Sequence, residues 1–402
     1  GSPWSAPPGM PIKPRKDVRP MKAALRGCKD PQTSSSSQPW SAQGHERTVQ
    51  ALVIIQDGDG PLHQQYVVTA SSAGDLKAWV PALALVEVAQ RKDAHRGERV
   101  TCLVAMPAVT PSGAPIRGRK VASCGFDGRI CLWSLPSLAL FASVEIALPP
   151  FRLFAVAVSS RFVTAGGGDD GASGGSLLGV VALEDLGNED GRALETKAHT
   201  DNIYALAMQQ GKDSDLIWSG GRDGMVELRK IVAKPGAPLD TQRLRRVSLQ
   251  SSVRSLALSP DGDVLFCGTS RGSISMIGSS LQGRRTSVAA HKGAVYGLEV
   301  ASEQGKLSLF SCGKDARVCV TRGWSLGGGA AAVPVAEEVF RLAADSRTGA
   351  PPAYLEALAL GHFGAHSPAG VAAPAVIAGA RDGRLVLGAA PRGAPAAAKG
   401  EA

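Results

Sequence analysis

The stretch Ser123-Cys-Gly-Phe-Asp-Gly-Arg-Ile-Cys-Leu-Trp133 contains a hydroxyl residue, a glycine, a tight Asp-Gly turn and then alternating apolar residues. The pattern returns as Ser219-Gly-Gly-Arg-Asp-Gly-Met-Val-Glu-Leu-Arg229 and as Ser311-Cys-Gly-Lys-Asp-Ala-Arg-Val-Cys-Val-Thr321. Weaker copies start at Thr69, Thr164, Cys267 and Ala378. A pattern that recurs in this way predicts a repeat architecture, in which one supersecondary unit is stacked many times. Such units mainly supply a binding surface, so the pattern favours a binding protein over an enzyme.

A short apolar strand is the second marker of each repeat. Successive copies start 42 to 60 residues apart, as the starts at Val253, Val295 and Leu355 show, and each copy precedes one Asp-Gly-type turn. Short strands joined by tight glycine turns indicate small antiparallel sheets. The seven copies align without gaps: Val49-Gln-Ala-Leu-Val53, Val100-Thr-Cys-Leu-Val104, Leu153-Phe-Ala-Val-Ala157, Ile203-Tyr-Ala-Leu-Ala207, Val253-Arg-Ser-Leu-Ala257, Val295-Tyr-Gly-Leu-Glu299 and Leu355-Glu-Ala-Leu-Ala359.

These seven sheets predict an all-β fold, a seven-bladed β-propeller of four-stranded antiparallel blades. A small sheet cannot cover its own faces, whereas radial packing around a channel covers both faces and leaves only short edges. A stacked helical solenoid is the other architecture for repeats of this length. The repeated segments argue against it, because they are short, rich in β-branched residues and bounded by glycine turns.

The composition fits a globular protein with an apolar core, since 44% of the 402 residues are hydrophobic. The 48 glycines and 26 prolines favour turns over long helices. The seven cysteines include no CxxC pair and no metal-ligand spacing. We therefore expect small buried thiols in an intracellular, reducing compartment, the cytoplasm or the nucleus. No apolar run is long enough for a transmembrane helix, and no signal peptide is visible in this sequence.

The two ends of the chain differ from the repeats. Residues 1–46 are rich in Pro and Ser and carry a basic cluster between Lys13 and Lys29, so we expect a mostly disordered arm. The propeller is predicted over residues 47–390, and the Ala- and Pro-rich residues 391–402 are predicted to form a disordered tail. The last repeat lacks a fourth strand, which Met21–Gly27 or Gln38–Gln43 could supply.

In these features the repeats resemble the WD40 family. The resemblance implies that a loop histidine, a strand Ser or Thr, the turn Asp and a strand Trp form a buried hydrogen-bonded set within a blade. Blade 4 matches three of these positions, with Arg229 in place of Trp, and blade 6 matches three, with Thr321 in place of Trp. The implied sets are His95, Ser123, Asp127 and Trp133 in blade 2, His199, Ser219 and Asp223 in blade 4, and His291, Ser311 and Asp315 in blade 6.

The other blades depart further from the family pattern. Blade 1 has His45 and Thr69 but Ala73 at the Asp position, and in blade 3 a Gly-rich insertion follows Thr164. Blade 5 has Arg271 for Asp, and blade 7 keeps Asp382 without Ser or His. No Trp-Asp dipeptide occurs, because Ser134 follows Trp133. A kelch-type propeller fits less well, since a Gly-Gly pair stands at the required place only in Gly220-Gly221.

His, Ser and Asp at these positions could suggest nucleophilic catalysis. A catalytic triad occurs once in a protein, whereas these residues recur in several repeats, as a structural hydrogen-bond set does. We therefore expect no catalytic residues, no cofactor and no metal site.

The resemblance also implies a partner-binding top face, formed by the loops that carry the His and the turn Asp. The residue before each Asp position faces outward there, and the second residue of each inner strand lies near the channel mouth. Aromatic residues and Arg are enriched at the energetic centres of protein interfaces. The candidate contact residues are Phe126, Arg222, Ser270, Arg271, Lys314, Arg381, Phe154, Tyr204, Arg254 and Tyr296.

These residues predict a non-catalytic scaffold that presents a rigid propeller surface to a protein or peptide partner within a larger complex. We expect an acidic or phosphorylated partner, because arginine suits carboxylate and phosphate groups, and a propeller that is itself monomeric. The alternative is an RNA- or ribosome-associated propeller whose basic arm neutralises phosphates, which a net charge of +9 permits. No membrane partner is expected. Ser248 and Ser287 each follow an Arg-Arg pair and are candidate phosphorylation sites.

Overall fold

A computed structural model places the repeats in seven four-stranded antiparallel sheets, which confirms the predicted propeller. None of the described residues belongs to a helix that is long and apolar enough to cross a membrane. The structure describes residues 40–56, 65–81, 85–108, 118–147, 150–169, 175–185, 192–195, 198–211, 214–233, 239–278, 285–303, 306–324, 334–343, 352–362 and 374–389. Residues 1–39 and 390–402, on which most of the predicted arm and the tail fall, lie outside this part of the chain.

The blades are numbered 1 to 7 in the order in which their innermost strands occur along the chain. Blade 1 contains β2 (Val49–Gln56), β3 (Gln65–Ser71), β4 (Leu76–Pro81) and β5 (Leu85–Arg91). Blade 2 contains β6 (Val100–Ala105), β7 (Lys120–Gly125), β8 (Arg129–Ser134) and β9 (Ala139–Glu145). Blade 3 contains β10 (Phe151–Val158), β11 (Phe162–Asp169), β12 (Ser176–Ala182) and β13 (Arg192–Glu195). Blade 4 contains β14 (Ile203–Gln209), β15 (Leu216–Gly221), β16 (Met225–Val232) and β17 (Asp240–Ser248).

The remaining three blades follow the same order. Blade 5 contains β18 (Val253–Leu258), β19 (Val264–Thr269), β20 (Ser273–Gly278) and β21 (Arg285–Ala289). Blade 6 contains β22 (Val295–Glu303), β23 (Lys306–Gly313), β24 (Arg317–Arg322) and β25 (Val335–Arg341). Blade 7 contains β26 (Leu355–His362), β27 (Pro374–Ala380), β28 (Arg384–Ala389) and β1 (Trp40–Gln43).

The first strand of the chain completes the last blade. β1 pairs antiparallel with β28, with Trp40 opposite Leu387 and Gln43 opposite Arg384. The pairing continues past the strand, because the amides of Gly44 and His45 both donate to the carbonyl of Gly383 at 3.0 Å. The closing strand thus lies within the second of the two predicted segments, 38–43. The first, 21–27, lies outside the described residues.

The core is divided among the contacts between blades. Seven clusters of buried apolar side chains each join two neighbouring blades, so that every seam of the ring contains one cluster. The cluster between blades 7 and 1, for example, contains Ile377 and Leu387 on one side and Leu52 and Trp79 on the other. Each blade therefore buries its two faces only when both neighbours are present.

The six cysteines in the described part of the chain behave as small residues within this core. Cys124, Cys131, Cys267, Cys312 and Cys319 are buried free thiols, and Cys102 is half-buried. Burial raises the pKa of the Cys131 thiol to about 12 and that of the Cys319 thiol to about 11. Such thiols stay protonated at neutral pH and are poor nucleophiles.

A buried hydrogen-bond chain fixes the loops of blade 2 to its sheet. The indole Nε1–H of Trp133 donates to Ser123 Oγ at 2.7 Å, and that hydroxyl lies 2.7 Å from His95 Nε2. His95 Nδ1 lies 2.7 Å from a carboxylate oxygen of Asp127. Every donor meets an acceptor when the hydroxyl donates to Nε2 and Nδ1–H donates to the carboxylate, which assigns the tautomer of the histidine.

Blades 4 and 6 contain shorter versions of this chain. His199 lies 2.8 Å from Ser219 Oγ and 3.0 Å from Asp223. His291 lies 2.8 Å from both Ser311 Oγ and an oxygen of Asp315. At the position of the missing Trp, blade 6 buries Thr321. In blade 4 the buried Arg229 instead pairs with the buried Glu227, with 3.1 Å between Nη2 and Oε2.

Blade 1 corrects the expectation that its Asp is missing. Ala73 does stand at the usual Asp position, but Asp75, two residues later, reaches back to His45 Nδ1 at 2.8 Å. His45 Nε2 lies 2.7 Å from Thr69 Oγ1, to which the indole Nε1–H of Trp79 donates at 2.8 Å. The blade therefore has a complete set. The strand register also places Ala165, not Thr164, at the hydroxyl position of blade 3, because Ala165 pairs with Val156 as Ser123 pairs with Leu103.

We predict that the closing strand is required for full stability. Deletion of residues 1–43 removes β1 and leaves the edge of β28 unpaired, whereas deletion of residues 1–39 retains the strand. We expect the first truncation to lower Tm by on the order of 5 °C relative to the second. Differential scanning calorimetry of both truncations measures this difference. Equal melting temperatures would show that β1 contributes nothing to closure.

We also predict an acid-sensitive contribution from Asp75. Burial alone raises the pKa of its carboxyl, but hydrogen bonds from His45 and Ser71 and the charge of His45 outweigh burial and lower the pKa to about 2. A carboxyl with a lowered pKa stabilises the fold above its unfolded pKa of about 4, and this contribution is lost as the pH falls towards 2. Asp75→Asn should therefore reduce the free energy of unfolding by about 2 kcal/mol at pH 7 and by little at pH 2.

Urea unfolding between pH 2 and pH 7 tests this prediction. Asp263→Asn is the matched control, because Asp263 is exposed in the turn before β19. Parallel pH profiles for Asp75→Asn and the unsubstituted protein would contradict the assigned hydrogen bonds.

Candidate functional site

A β-bulge recurs at the same place in all seven innermost strands. Between the first and the third residue of each of the seven aligned copies the pairing register shifts, so the second residue of the copy has no partner of its own. A bulge bends the strand and redirects the extra side chain. The seven bulge residues are Gln50, Thr101, Phe154, Tyr204, Arg254, Tyr296 and Glu356.

The bulge residues line the channel along the axis of the ring. The channel has a volume of about 930 Å³ and is lined by the innermost strands of all seven blades. The next residue of each strand is small in every blade, which leaves this space open. The small residues are Ala51, Cys102, Ala155, Ala205, Ser255, Gly297 and Ala357.

A repeated backbone hydrogen bond brings two further positions to the same end of the ring. The residue before the turn Asp position donates its N–H to the carbonyl of the residue before the innermost strand. In six blades this bond measures 2.8 to 2.9 Å. The pairs are Ser72 with Thr48, Phe126 with Arg99, Arg222 with Asn202, Ser270 with Ser252, Lys314 with Ala294 and Arg381 with Tyr354.

One side of the channel mouth is an aromatic row. The ring of Phe126 meets that of Phe154 edge to face, with 5.5 Å between centroids, and Phe154 meets Tyr204 in the same way at 5.2 Å. Arginines cover both ends of the row. Arg99 and Arg152 lie 5.0 and 4.8 Å from the centroid of Phe126, and Arg254 lies 4.1 Å from that of Tyr204. Edge-to-face contacts and cation–π contacts both stabilise such an arrangement.

The opposite side of the mouth is more polar. Gln50 Nε2 donates to Glu356 at 2.8 Å, across the seam between blades 1 and 7. Burial raises the pKa of the Tyr296 hydroxyl and the charge of Glu356 raises it further, whereas Arg254 and Arg381 lower it. The charges of Glu356, Arg254 and Arg381 therefore all act on the Tyr296 hydroxyl at the mouth.

Tyr354 extends this side outward, because Lys314 and Arg381 each lie 5.4 Å from its ring centroid. We call the channel mouth the surface formed by the following residues: Gln50, Arg99, Phe126, Arg152, Phe154, Tyr204, Arg254, Tyr296, Lys314, Tyr354, Glu356 and Arg381.

The structure separates the predicted contact residues into two groups. Phe126, Phe154, Tyr204, Arg254, Tyr296, Lys314 and Arg381 come together at the channel mouth. Three others lie outside the channel lining. Arg222 faces Asp201 at 3.6 Å, the hydroxyl of Ser270 lies 3.0 Å from that of Ser251, and Arg271 is exposed.

Sequence reasoning missed Arg99, Arg152 and Tyr354. A signal for all three is present in the alignment of the seven copies, because each residue directly precedes the first residue of its copy. The carbonyl groups of Arg99 and Tyr354 accept the backbone hydrogen bonds from Phe126 and Arg381 described above, so both residues lie next to the Asp-containing turns of their blades.

The channel mouth can bind an anion but has few groups that could transfer a proton. Arg99, Arg254, Lys314 and Arg381 form no ion pair with any carboxylate in the described part of the chain. Arg254 Nε is buried without a hydrogen-bond partner there. The described residues also contain no group of three or more His, Cys, Asp or Glu side chains arranged to hold a metal ion. The four His-Ser/Thr-Asp sets are spread over four blades, as structural sets would be.

The two candidate phosphorylation sites lie on outer strands. Ser248 is exposed at the end of β17, and the guanidinium of Arg285 donates to its carbonyl oxygen at 3.0 Å. Ser287 is exposed on β21. Modification of either residue stays a prediction.

Comparison with known proteins identifies the repeat itself. The family model described as "WD domain, G-beta repeat" matches residues 88–134 and 243–277. No curated protein matches the chain. The first matched segment runs through blade 2, which has the complete hydrogen-bond set, and the second reaches into blade 5. These two repeat matches and the closed ring of seven four-stranded blades agree with a WD40-repeat β-propeller.

Proposed function

We propose that this propeller is a non-catalytic scaffold that binds an acidic segment of a protein partner at the channel mouth. WD40 propellers generally mediate protein–protein interactions without catalysis. The observation that carries the proposal is the excess of unpaired cations around an aromatic centre. Arg99, Arg254, Lys314 and Arg381 have no ion-pair partner in the described part of the chain.

The charges at the mouth favour an anionic partner. Glu356 is the only acidic residue of the channel mouth as defined above, and its carboxylate already accepts a hydrogen bond from Gln50. Arginine guanidinium groups bind carboxylates through paired, charge-assisted hydrogen bonds. Arg254 is oriented for this by its contact with Tyr204, and its Nε has no hydrogen-bond partner in the described part of the chain.

The rigid backbone around the channel mouth also favours this surface as the partner-binding site. The bulge residues project from the innermost strands, and the buried histidine sets hold the adjoining loops in blades 1, 2, 4 and 6. A preorganised surface loses little conformational entropy when a partner binds. Aromatic and Arg side chains in such a position are typical of the residues that dominate binding energy.

Binding of a fluorescently labelled octaglutamate peptide tests the proposal by fluorescence anisotropy. Arg254→Gln removes the central cation, and we expect it to weaken binding by on the order of tenfold, because a charge-assisted hydrogen bond contributes about 1.5–3 kcal/mol. The affinity of the unsubstituted protein should also fall as the salt concentration rises.

Lys306→Gln is the matched control, since Lys306 is exposed at the start of β23, next to the other end of the innermost strand β22. It should bind the peptide like the unsubstituted protein. Equal loss in both variants, or no loss in Arg254→Gln, would refute binding at the mouth. Tight, salt-sensitive binding of a single-stranded RNA oligonucleotide together with no binding of the peptide would favour the RNA alternative.

A further inference from the structure

Glu299 is a single carboxylate at a position that is apolar in every other blade. It stands three residues beyond the bulge residue Tyr296 on β22. At about 3.3 Å per residue, it lies roughly 10 Å deeper in the channel than the mouth. The equivalent residues of the other six innermost strands are Val53, Val104, Ala157, Ala207, Ala257 and Ala359.

The surroundings of Glu299 leave its charge uncompensated. The side chain is half-buried and forms part of the channel lining. In the described part of the chain this channel-lining side chain has no hydrogen bond and no ion pair. Burial raises the pKa of its carboxyl to about 7, and no neighbouring charge opposes this effect.

The strands packed against β22 supply no partner either. Phe310 of β23 is the residue directly opposite Glu299 in the sheet. Arg254 and Glu356, on the two neighbouring innermost strands, belong to the mouth and are engaged with Tyr204 and Gln50. The titratable side chains described on all these strands are Arg254 on β18, Cys267 on β19, Tyr296 on β22, Lys306 and Cys312 on β23, and Glu356 on β26.

We propose that Glu299 binds the charged end of one lysine or arginine side chain that the partner inserts into the channel. This inference rests on the proposed function and refines it: the partner segment is acidic and carries one basic residue. A half-buried carboxylate without a partner is costly to the fold, and a ligand cation would offset that cost. No other described group of the channel wall would attract a cation at this depth.

The shape of a basic side chain fits a channel that has aromatic rings at its mouth and the Glu299 carboxylate deeper inside. Lysine and arginine combine an apolar stem with a terminal charge, so the stem can pass the aromatic rings while the charge reaches Glu299. A free cation would be repelled by the arginines of the mouth. When the cation belongs to an acidic segment, the flanking carboxylates pair with those arginines, and the repulsion is reduced. The mouth and Glu299 would thus select opposite charges within one segment.

Two matched peptides test the proposal, each an octaglutamate in which one central residue is replaced by lysine or by the uncharged norleucine. At pH 8 the unsubstituted protein should bind the lysine peptide on the order of tenfold more tightly than the norleucine peptide, as close charge pairs do at interfaces. In Glu299→Gln the two affinities should be about equal, while binding of the norleucine peptide is retained. The preference should also shrink below pH 6, because the carboxyl becomes protonated.

The Glu299→Gln variant also tests whether the Glu299 carboxylate destabilises the folded protein. A raised pKa means that the folded state binds this proton more tightly than the unfolded state, so stability is lost as the pH rises from about 4.5 to 7. Glu299→Gln should therefore melt at a higher temperature than the unsubstituted protein at pH 8, but not at pH 4. A lower Tm at pH 8 would show that Glu299 is already compensated and would overturn the proposal.

The binding outcomes separate the two proposals. An equal lysine preference in Glu299→Gln and the unsubstituted protein, or no preference in either, would overturn the role of Glu299 and leave the acidic-segment proposal standing. Failure of both peptides to bind the unsubstituted protein would overturn both. Loss of both peptides in Glu299→Gln, with an unchanged Tm, would assign Glu299 to the mouth rather than to a basic residue.

Discussion

The apolar seams between neighbouring blades hold this molecule together, and they work only if the ring closes. No blade covers its own faces, and each of the seven apolar clusters draws its side chains from two blades. Closure therefore imposes one geometry on all seven innermost strands. It also explains why β1 lies in the last blade: with this strand, blade 7 has the same four-stranded form as the others, although the strand comes from the opposite end of the sequence.

The same geometry separates the structural residues from those that are free to vary. The bulge at the second residue of each aligned copy is constant, but the residue at that position differs between blades, for example Gln50 in blade 1 and Arg254 in blade 5. The buried histidine sets are similar where they occur and hold the loops in place. Chemical differences are concentrated at positions whose backbone is fixed and whose side chains face the channel. A surface of this kind can change its partner without changing the fold.

The fold and the centre of the site could be predicted from the sequence because both depend on local patterns. Short strands and Asp-Gly turns define the blade, and the second residue of each copy marks the mouth. Asp75 was missed because its role depends on a chain path that only the folded turn of blade 1 reveals. Arg99 and Arg152 meet Phe126 from two different blades, and the aligned copies mark both positions without indicating that contact. Contacts across seams are long-range, so they require the closed ring.

Charge at two depths of the channel has different physical consequences. The cations of the mouth are close to solvent and to aromatic faces, both of which stabilise a positive charge. Glu299 is half-buried and has no charged partner in the described part of the chain, and burial raises the pKa of its carboxyl. Valine or alanine at this position would remove that cost, and the other six blades have one or the other. A residue that weakens the fold without completing any described internal contact is best explained by a contact made with another molecule, and the sign of its charge indicates the sign of that molecule's charge.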